Sequence, residues 1–236
     1  MPVAPVSSTS KTAPPKPPSK GSAVTRILLM GTLGLMALPV MEKVLGWDGA
    51  VRRGGEPVGS VTPIPLRMTG GDPYIRALMR TISASESNDP RPYSLIYGGD
   101  RFQDFSEHPD LCVPIVAGPN FGDCTTAAGR YQFITSTWLE QAQHYHPNPS
   151  GLWRWRSYSF EPEYQDKVVY AWLSDPQAWG VDLAQLLRDG AIADVLYILS
   201  PTWTSLGYGI ETNSMSDSLP YIYEEMLREE LAIAGE

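Results

Sequence analysis

The clearest pattern of apolar and polar positions begins at residue 72. Ile75, Leu78, Met79 and Ile82 recur every three to four residues, the spacing of one helical face. Asp72-Pro73 precedes them as an N-cap followed by proline at the first helical position. Ser87-Asn88-Asp89-Pro90 then stops the predicted helix. Ser94–Tyr97 and Arg101–Phe105 are short strand candidates separated by Gly98-Gly99-Asp100, a hairpin signal. Helical spacing returns over Thr135–Tyr145, Glu161–Leu173, Asp182–Arg188, Ala191–Leu199 and Leu219–Ala232. Gly190 stands past the end of the third of these. In the last, Leu219, Ile222, Tyr223, Met226 and Leu227 form one stripe. Many helices beside one small hairpin predict a mostly helical α+β domain over residues 72–236.

The first 71 residues read differently. Residues 1–26 are a Pro/Ser/Thr/Lys-rich tail, too polar to order itself by burial. Residues 27–41 carry no charge, short of a full span, and the segment 27–47 crosses a bilayer if Glu42 and Lys43 sit at its far interface. No small-x-small cleavage site follows at once, which favours an uncleaved membrane anchor over a signal peptide released after export. Lysines and arginines stay on the cytoplasmic side, so the later residues are expected outside an inner membrane. Residues 48–71 form a linker with Gly-Gly pairs and prolines.

Charge sharpens this division. The tail carries four basic and no acidic residues, whereas residues 70–236 hold 10 Lys+Arg against 23 Asp+Glu. A domain so acidic is not a nucleic-acid binder, and any polysaccharide would have to be held by shape, hydrogen bonds and aromatic stacking. Cys112 and Cys124 lie in a Pro/Gly/Asn/Asp-rich loop without metal or redox spacing. Two reduced thiols are the alternative in a cytosolic chain; in an exported one they are expected to pair and close a short loop.

Chemistry centres on Glu86. It lies eleven residues after Ile75, close to three full turns, and so on the same face as the apolar stripe. A carboxyl at a helix end that points the way the core points is partly desolvated. Desolvation disfavours its charged form and suits it to donate a proton near neutral pH. His144 and His146 have no carboxylate or Cys partner at ligand spacing, and no Gly-x-Ser-x-Gly, phosphate-loop or dinucleotide pattern occurs. No metal or cofactor is expected.

Several blocks sit in register around Glu86. These are Ser85-Glu86-Ser87, Ile96-Tyr97-Gly98-Gly99, Phe102-Gln103-Asp104-Phe105-Ser106-Glu107-His108-Pro109, Ala128-Gly129-Arg130-Tyr131-Gln132 and Phe160-Glu161-Pro162 with Gln165-Asp166. Across roughly residues 75–230 their order resembles the lysozyme superfamily, and within it the lambda-phage endolysin group of lytic transglycosylases, glycoside hydrolase family 104. The resemblance implies a lysozyme-like fold with its hairpin beside a cleft, a peptidoglycan glycan strand as substrate and a monomer. It implies that Glu86 cleaves the bond between N-acetylmuramic acid and N-acetylglucosamine, leaving a 1,6-anhydro end. It also implies substrate contacts from Ser87, Tyr97, Gly129, Tyr131 and Gln132, and from Tyr208 in the shorter Gly207-Tyr208-Gly209 match.

A hydrolytic lysozyme on the same fold would need a second carboxylate. Asp100 and Asp104 are the candidates, although Asp is common in turns for local reasons. A catalytically silent, membrane-tethered wall-binding module is the third possibility. Trp138 and Trp172 fall at core spacing, while Trp153-Arg154-Trp155-Arg156 is loop-like and offers a stacking surface.

Overall fold

The computed structural model describes residues 63–116, 120–148, 157–208 and 215–235. The anchor candidate at 27–47, most of the linker and the Trp153–Arg156 segment lie outside the described residues. Among the described residues no helix is long and apolar enough to cross a membrane.

Among the described residues seven α-helices follow one another: α1 (Pro73–Glu86), α2 (Thr135–Tyr145), α3 (Pro162–Leu173), α4 (Pro176–Trp179), α5 (Leu183–Arg188), α6 (Ile192–Leu199) and α7 (Leu219–Ala234). α1 forms as its sequence predicts. The Asp72 carboxylate accepts a hydrogen bond from the Tyr74 N–H at 2.9 Å, and proline occupies the first turn. Ile75, Leu78, Met79 and Ile82 are fully buried, each worth roughly 1.5–3 kcal/mol. The same helix is buried on nearly all sides, so α3, α5 and α7 pack around it.

Its contact with α7 contains charge. Arg76 Nε donates to Glu230 at 2.6 Å, and Arg80 reaches Glu230 at 3.1 Å and Glu229 at 2.6 Å. Both guanidiniums also donate to backbone carbonyls of the preceding segment, at Met68, Gly70 and Pro63. Residues 63–68, assigned by sequence to the linker, are therefore packed on the domain, with Leu66 and Met68 buried.

The predicted hairpin is reduced. Leu95 and Arg101 form one antiparallel bridge, and Ile96 N–H donates to Asp100 O at 2.9 Å. Phe102 N–H donates to Ser94 O at 3.0 Å, and along its other edge the first arm meets the 127–129 segment: Leu95 O accepts from Gly129 N–H, and Tyr97 N–H donates to Ala127 O. The second arm turns to pack Phe102 and Phe105 together, with Phe102 near Phe160. The two-stranded sheet lies instead in the cysteine loop. There β1 (Val113–Pro114) pairs antiparallel with β2 (Cys124–Thr125), in the register Val113 to Thr125 and Pro114 to Cys124. The Cys112–Cys124 disulfide closes this ribbon, with Cα atoms 5.4 Å apart.

Candidate active site

Glu86 is the last residue of α1 and is half-buried. The turn that carries it is tied down from two sides. Ser87 caps the helix through its N–H to Ser83 O, and its hydroxyl donates to Arg130 O at 2.6 Å. From the other side a single 3-10 turn, Thr204–Leu206, brings Ser205 to the carboxyl. The Ser205 hydroxyl donates to Glu86 Oε1 and lies 3.0 Å from the Ser85 hydroxyl. Just before it, Trp203 Nε1 donates to Tyr131 O at 3.2 Å. The end of α1, the 129–132 loop and the 204–206 turn thus meet at Glu86.

The 129–132 loop is shaped by backbone that only some residues accept. Gly129 has φ +74°, and a Cβ there would lie 2.4 Å from Gln165 Oε1 and 2.8 Å from Phe160 Cζ. Close packing on Gln165 of α3 and on Phe160 just before it thus demands glycine there. Gln132 also has positive φ, and its amide nitrogen donates to Gly129 O at 2.9 Å. That bond holds the half-buried Gln132 side chain over its own loop.

Below the loop, the Gln165-Asp166 pair of α3 forms a buried polar hub. Gln165 Oε1 accepts from Arg130 N–H at 2.9 Å, and its amide nitrogen donates to Tyr93 O and Phe160 O. Asp166 accepts from the hydroxyls of Tyr131 and Tyr93, each at 2.7 Å, and from the N–H groups of Arg67 and Met68. The buried Arg130 guanidinium donates to Tyr93 Oη at 2.8 Å and to the carbonyls of Ile64 and Pro65. Burial, with the Asp166 charge beside them, pushes both tyrosine hydroxyls far above the ordinary phenol value, so they remain donors.

Two of the residues expected to contact substrate are engaged in packing around this hub. Tyr131 is only 1% exposed and its hydroxyl is committed to Asp166, so it supports the loop from below. Ser87 is buried and stitches α1 to Arg130. Tyr97 is half-buried, with its phenol raised by that burial, and sits next to the loop through its bond to Ala127. Tyr208 is 44% exposed and lies edge-on to Tyr197 at 5.7 Å, three residues beyond Ser205.

The two candidate second carboxylates lie on exposed loop positions. Asp100 is in the hairpin turn, and Asp104 accepts the Ser106 N–H at 2.9 Å, a bond that lowers its carboxyl pKa. His108 orders the loop around it. Nε2 bonds Phe133 O at 2.8 Å, Nδ1 accepts from Asp110 N–H, and burial lowers the imidazole pKa. Trp138 and Trp172 are core residues, as expected from their spacing. Among the described residues no group of three His, Cys, Asp or Glu side chains could hold a metal ion.

Ser205 was missed from sequence. Its signal was position alone: it stands two residues before the Gly-Tyr-Gly match, inside Trp203-Thr204-Ser205-Leu206. Nothing in a lone serine there identifies its partner 119 residues away.

The site is thus a half-buried carboxyl at a helix end, held by the Ser205 hydroxyl, with the next residue gripping the 129–132 loop. The chain belongs to the Endolysin family, whose model matches residues 76–227. Among solved structures it is similar to bacteriophage lambda lysozyme complexed with a chitohexasaccharide. The two share 27% identity over 67% of this chain and 97% of that one, with a TM-score of 0.50. A second structure of lysozyme from bacteriophage lambda matches at 24% identity over the same shares, with a TM-score of 0.47. No curated protein matches the chain.

Proposed function

We propose that this protein cleaves the glycan strands of peptidoglycan as a lytic transglycosylase, with Glu86 as its single acid and base. The observation that carries the proposal is the seat of Glu86. It is half-buried at the end of α1, joined by Ser205 and bordered by the 129–132 loop. Family membership and the chitohexasaccharide carried by the similar lambda lysozyme structure support a β-1,4-linked aminosugar chain as the ligand.

In this reading neutral Glu86 donates its proton to the glycosidic oxygen between N-acetylmuramic acid and N-acetylglucosamine. The C1–O bond breaks, and positive charge develops at C1 and the ring oxygen. Glu86, now a carboxylate, takes the proton of the C6 hydroxyl of the same muramoyl residue as that oxygen bonds to C1. The proton balance closes, no water is consumed, and the product carries a 1,6-anhydro ring. Attack from within the same sugar benefits from high effective molarity, so no second carboxylate is needed to hold a nucleophile. The local engagement of Asp104 and the exposed turn position of Asp100 favour this route over a two-carboxylate hydrolysis.

Digestion of purified sacculi, followed by mass spectrometry of the muropeptides, tests both parts. Wild type is expected to release anhydro-muropeptides, and Glu86→Gln to release none. Products at the hydrated mass would replace the transglycosylase by a hydrolase; undiminished cutting by Glu86→Gln would remove the catalytic assignment. Residues 27–47 are proposed to tether the domain to the outer side of the inner membrane. Carbonate extraction of membranes checks this, because a released protein would leave with the soluble fraction.

A further inference from the structure

We infer that Ser205 is a positioning residue whose hydroxyl follows the charge of Glu86, turning between the carboxyl and Ser85 as the proton leaves and returns. The inference rests on the reading of Glu86 as acid and base.

The argument is a count of hydrogens. Ser205 has one hydroxyl hydrogen and two acceptors in reach, Glu86 Oε1 and the Ser85 hydroxyl oxygen at 3.0 Å. Ser85 cannot donate back, because its own hydrogen goes to Ile82 O at 3.0 Å, the carbonyl one turn earlier in α1. Ser85 is therefore an acceptor towards Ser205. A carboxylate oxygen is a far stronger acceptor than a neutral hydroxyl, and a protonated carboxyl is weaker than a carboxylate. When Glu86 is charged, the Ser205 hydrogen lies on Oε1. When Glu86 is neutral that preference shrinks, and Ser85 shares the hydrogen.

No heavy atom moves in this exchange. Ser205 is 5% exposed and fixed in the Thr204–Leu206 turn, whose Trp203 neighbour is itself bonded to Tyr131. A preset donor of this kind stabilises the charge that develops on the carboxyl as it gives up its proton. Interactions that strengthen towards the transition state raise kcat rather than lower KM.

The test measures initial rates of the full-length protein on soluble peptidoglycan strands, for wild type, Ser205→Ala, Ser205→Thr, Ser85→Ala and Glu86→Gln. Ser205→Ala is expected to lose roughly 10- to 100-fold in kcat with KM within about twofold, the size of one hydrogen bond to a charge. Ser205→Thr, which keeps the hydroxyl, is expected to recover most of that loss. Ser85→Ala removes only the resting acceptor and is expected to cost a few-fold in kcat. An unchanged kcat in Ser205→Ala, or a loss confined to KM, would overturn the inference. So would a Ser85→Ala loss as large as that of Ser205→Ala. If Glu86→Gln remains active, the underlying reading has failed; if it is inactive while Ser205→Ala is not impaired, only this inference has.

Discussion

Gly129→Ala separates two explanations of the 129–132 loop. If the glycine admits a sugar to the backbone, an added methyl should weaken substrate binding and leave the fold intact. The structure argues the reverse. The new Cβ would fall 2.4 Å from Gln165 Oε1 on α3 and 2.8 Å from the Phe160 ring just before that helix, both buried, at a φ of +74°. An L-residue in that left-handed region costs roughly 1–2 kcal/mol. Moving Gln165 aside breaks its bond from Arg130 N–H, and a buried N–H left without a partner costs a further 1–3 kcal/mol or so. The loss of stability should be about 3 kcal/mol, or roughly 6–12 °C in Tm for a domain of this size. Gly190→Ala is the control: its φ is +80° but no atom stands within 4 Å of the added Cβ, so only the backbone cost of roughly 1–2 kcal/mol applies. Urea unfolding followed by tryptophan fluorescence measures both. If Gly129→Ala destabilises no more than Gly190→Ala while KM rises several-fold, the packing argument is wrong and the sugar explanation stands.

Three further outcomes follow from the same contacts. Replacing Cys112 and Cys124 together by serine should cost about 3 kcal/mol, from the short loop that the disulfide closes, read as a lowered urea midpoint. His108 and His146 are both held below the ordinary histidine value of 6.5, chiefly by burial, so the unfolded chain takes up protons before the folded one does. Their contribution to stability is present above about pH 6.5 and lost as pH falls through the folded values. The urea midpoint should therefore drop between pH 7.5 and 5, and drop less in a His108→Gln, His146→Gln variant. Binding of an inactive Glu86→Gln protein to sacculi should change little between low and moderate salt, because a domain with 10 basic and 23 acidic residues gains nothing from long-range attraction to an anionic wall. A steep loss in a pelleting assay would contradict that.

What the sequence made legible were features set by neighbours along the chain. The Asp72-Pro73 start of α1, the Thr135–Tyr145 helix and the position of Gly190 all depend on local spacing and capping, and all appear where the pattern put them. The hairpin forms with a single bridge between Leu95 and Arg101, and its first arm also bonds residues 127–129 along its other edge through Leu95 O and Tyr97 N–H, partners no local pattern reveals. The short helix Pro176–Trp179 was missed although Asp175 caps it, because four residues carry no periodicity. Among site residues, the helix position of Glu86 follows from counting turns. The roles of Tyr131 and Ser87 do not, since a tyrosine beneath a loop and one on its surface are identical as letters. What separates them is Asp166, 35 residues further on, as the acceptor for the Tyr131 hydroxyl.

The same hub explains why residues 63–68 belong to the domain although the family match begins at 76. Arg80 and Arg130 are both buried, and a buried guanidinium with unfilled donors is strongly unfavourable. Glu229 and Glu230 serve Arg80 only in part, and Tyr93 serves Arg130 only in part; Pro63, Ile64 and Pro65 supply the other carbonyls. In return Asp166 accepts the N–H groups of Arg67 and Met68, so the segment is fixed by both its carbonyls and its amides. These arginines hold the two pieces that frame Glu86: Arg80 lies in α1, and Arg130 lies in the loop that Ser87 grips. A chain begun at residue 76 would contain Glu86, Ser205 and the 129–132 loop and still leave both guanidiniums short of acceptors. The geometry of the site therefore depends on residues 63–68 as well as on the residues that carry its chemistry.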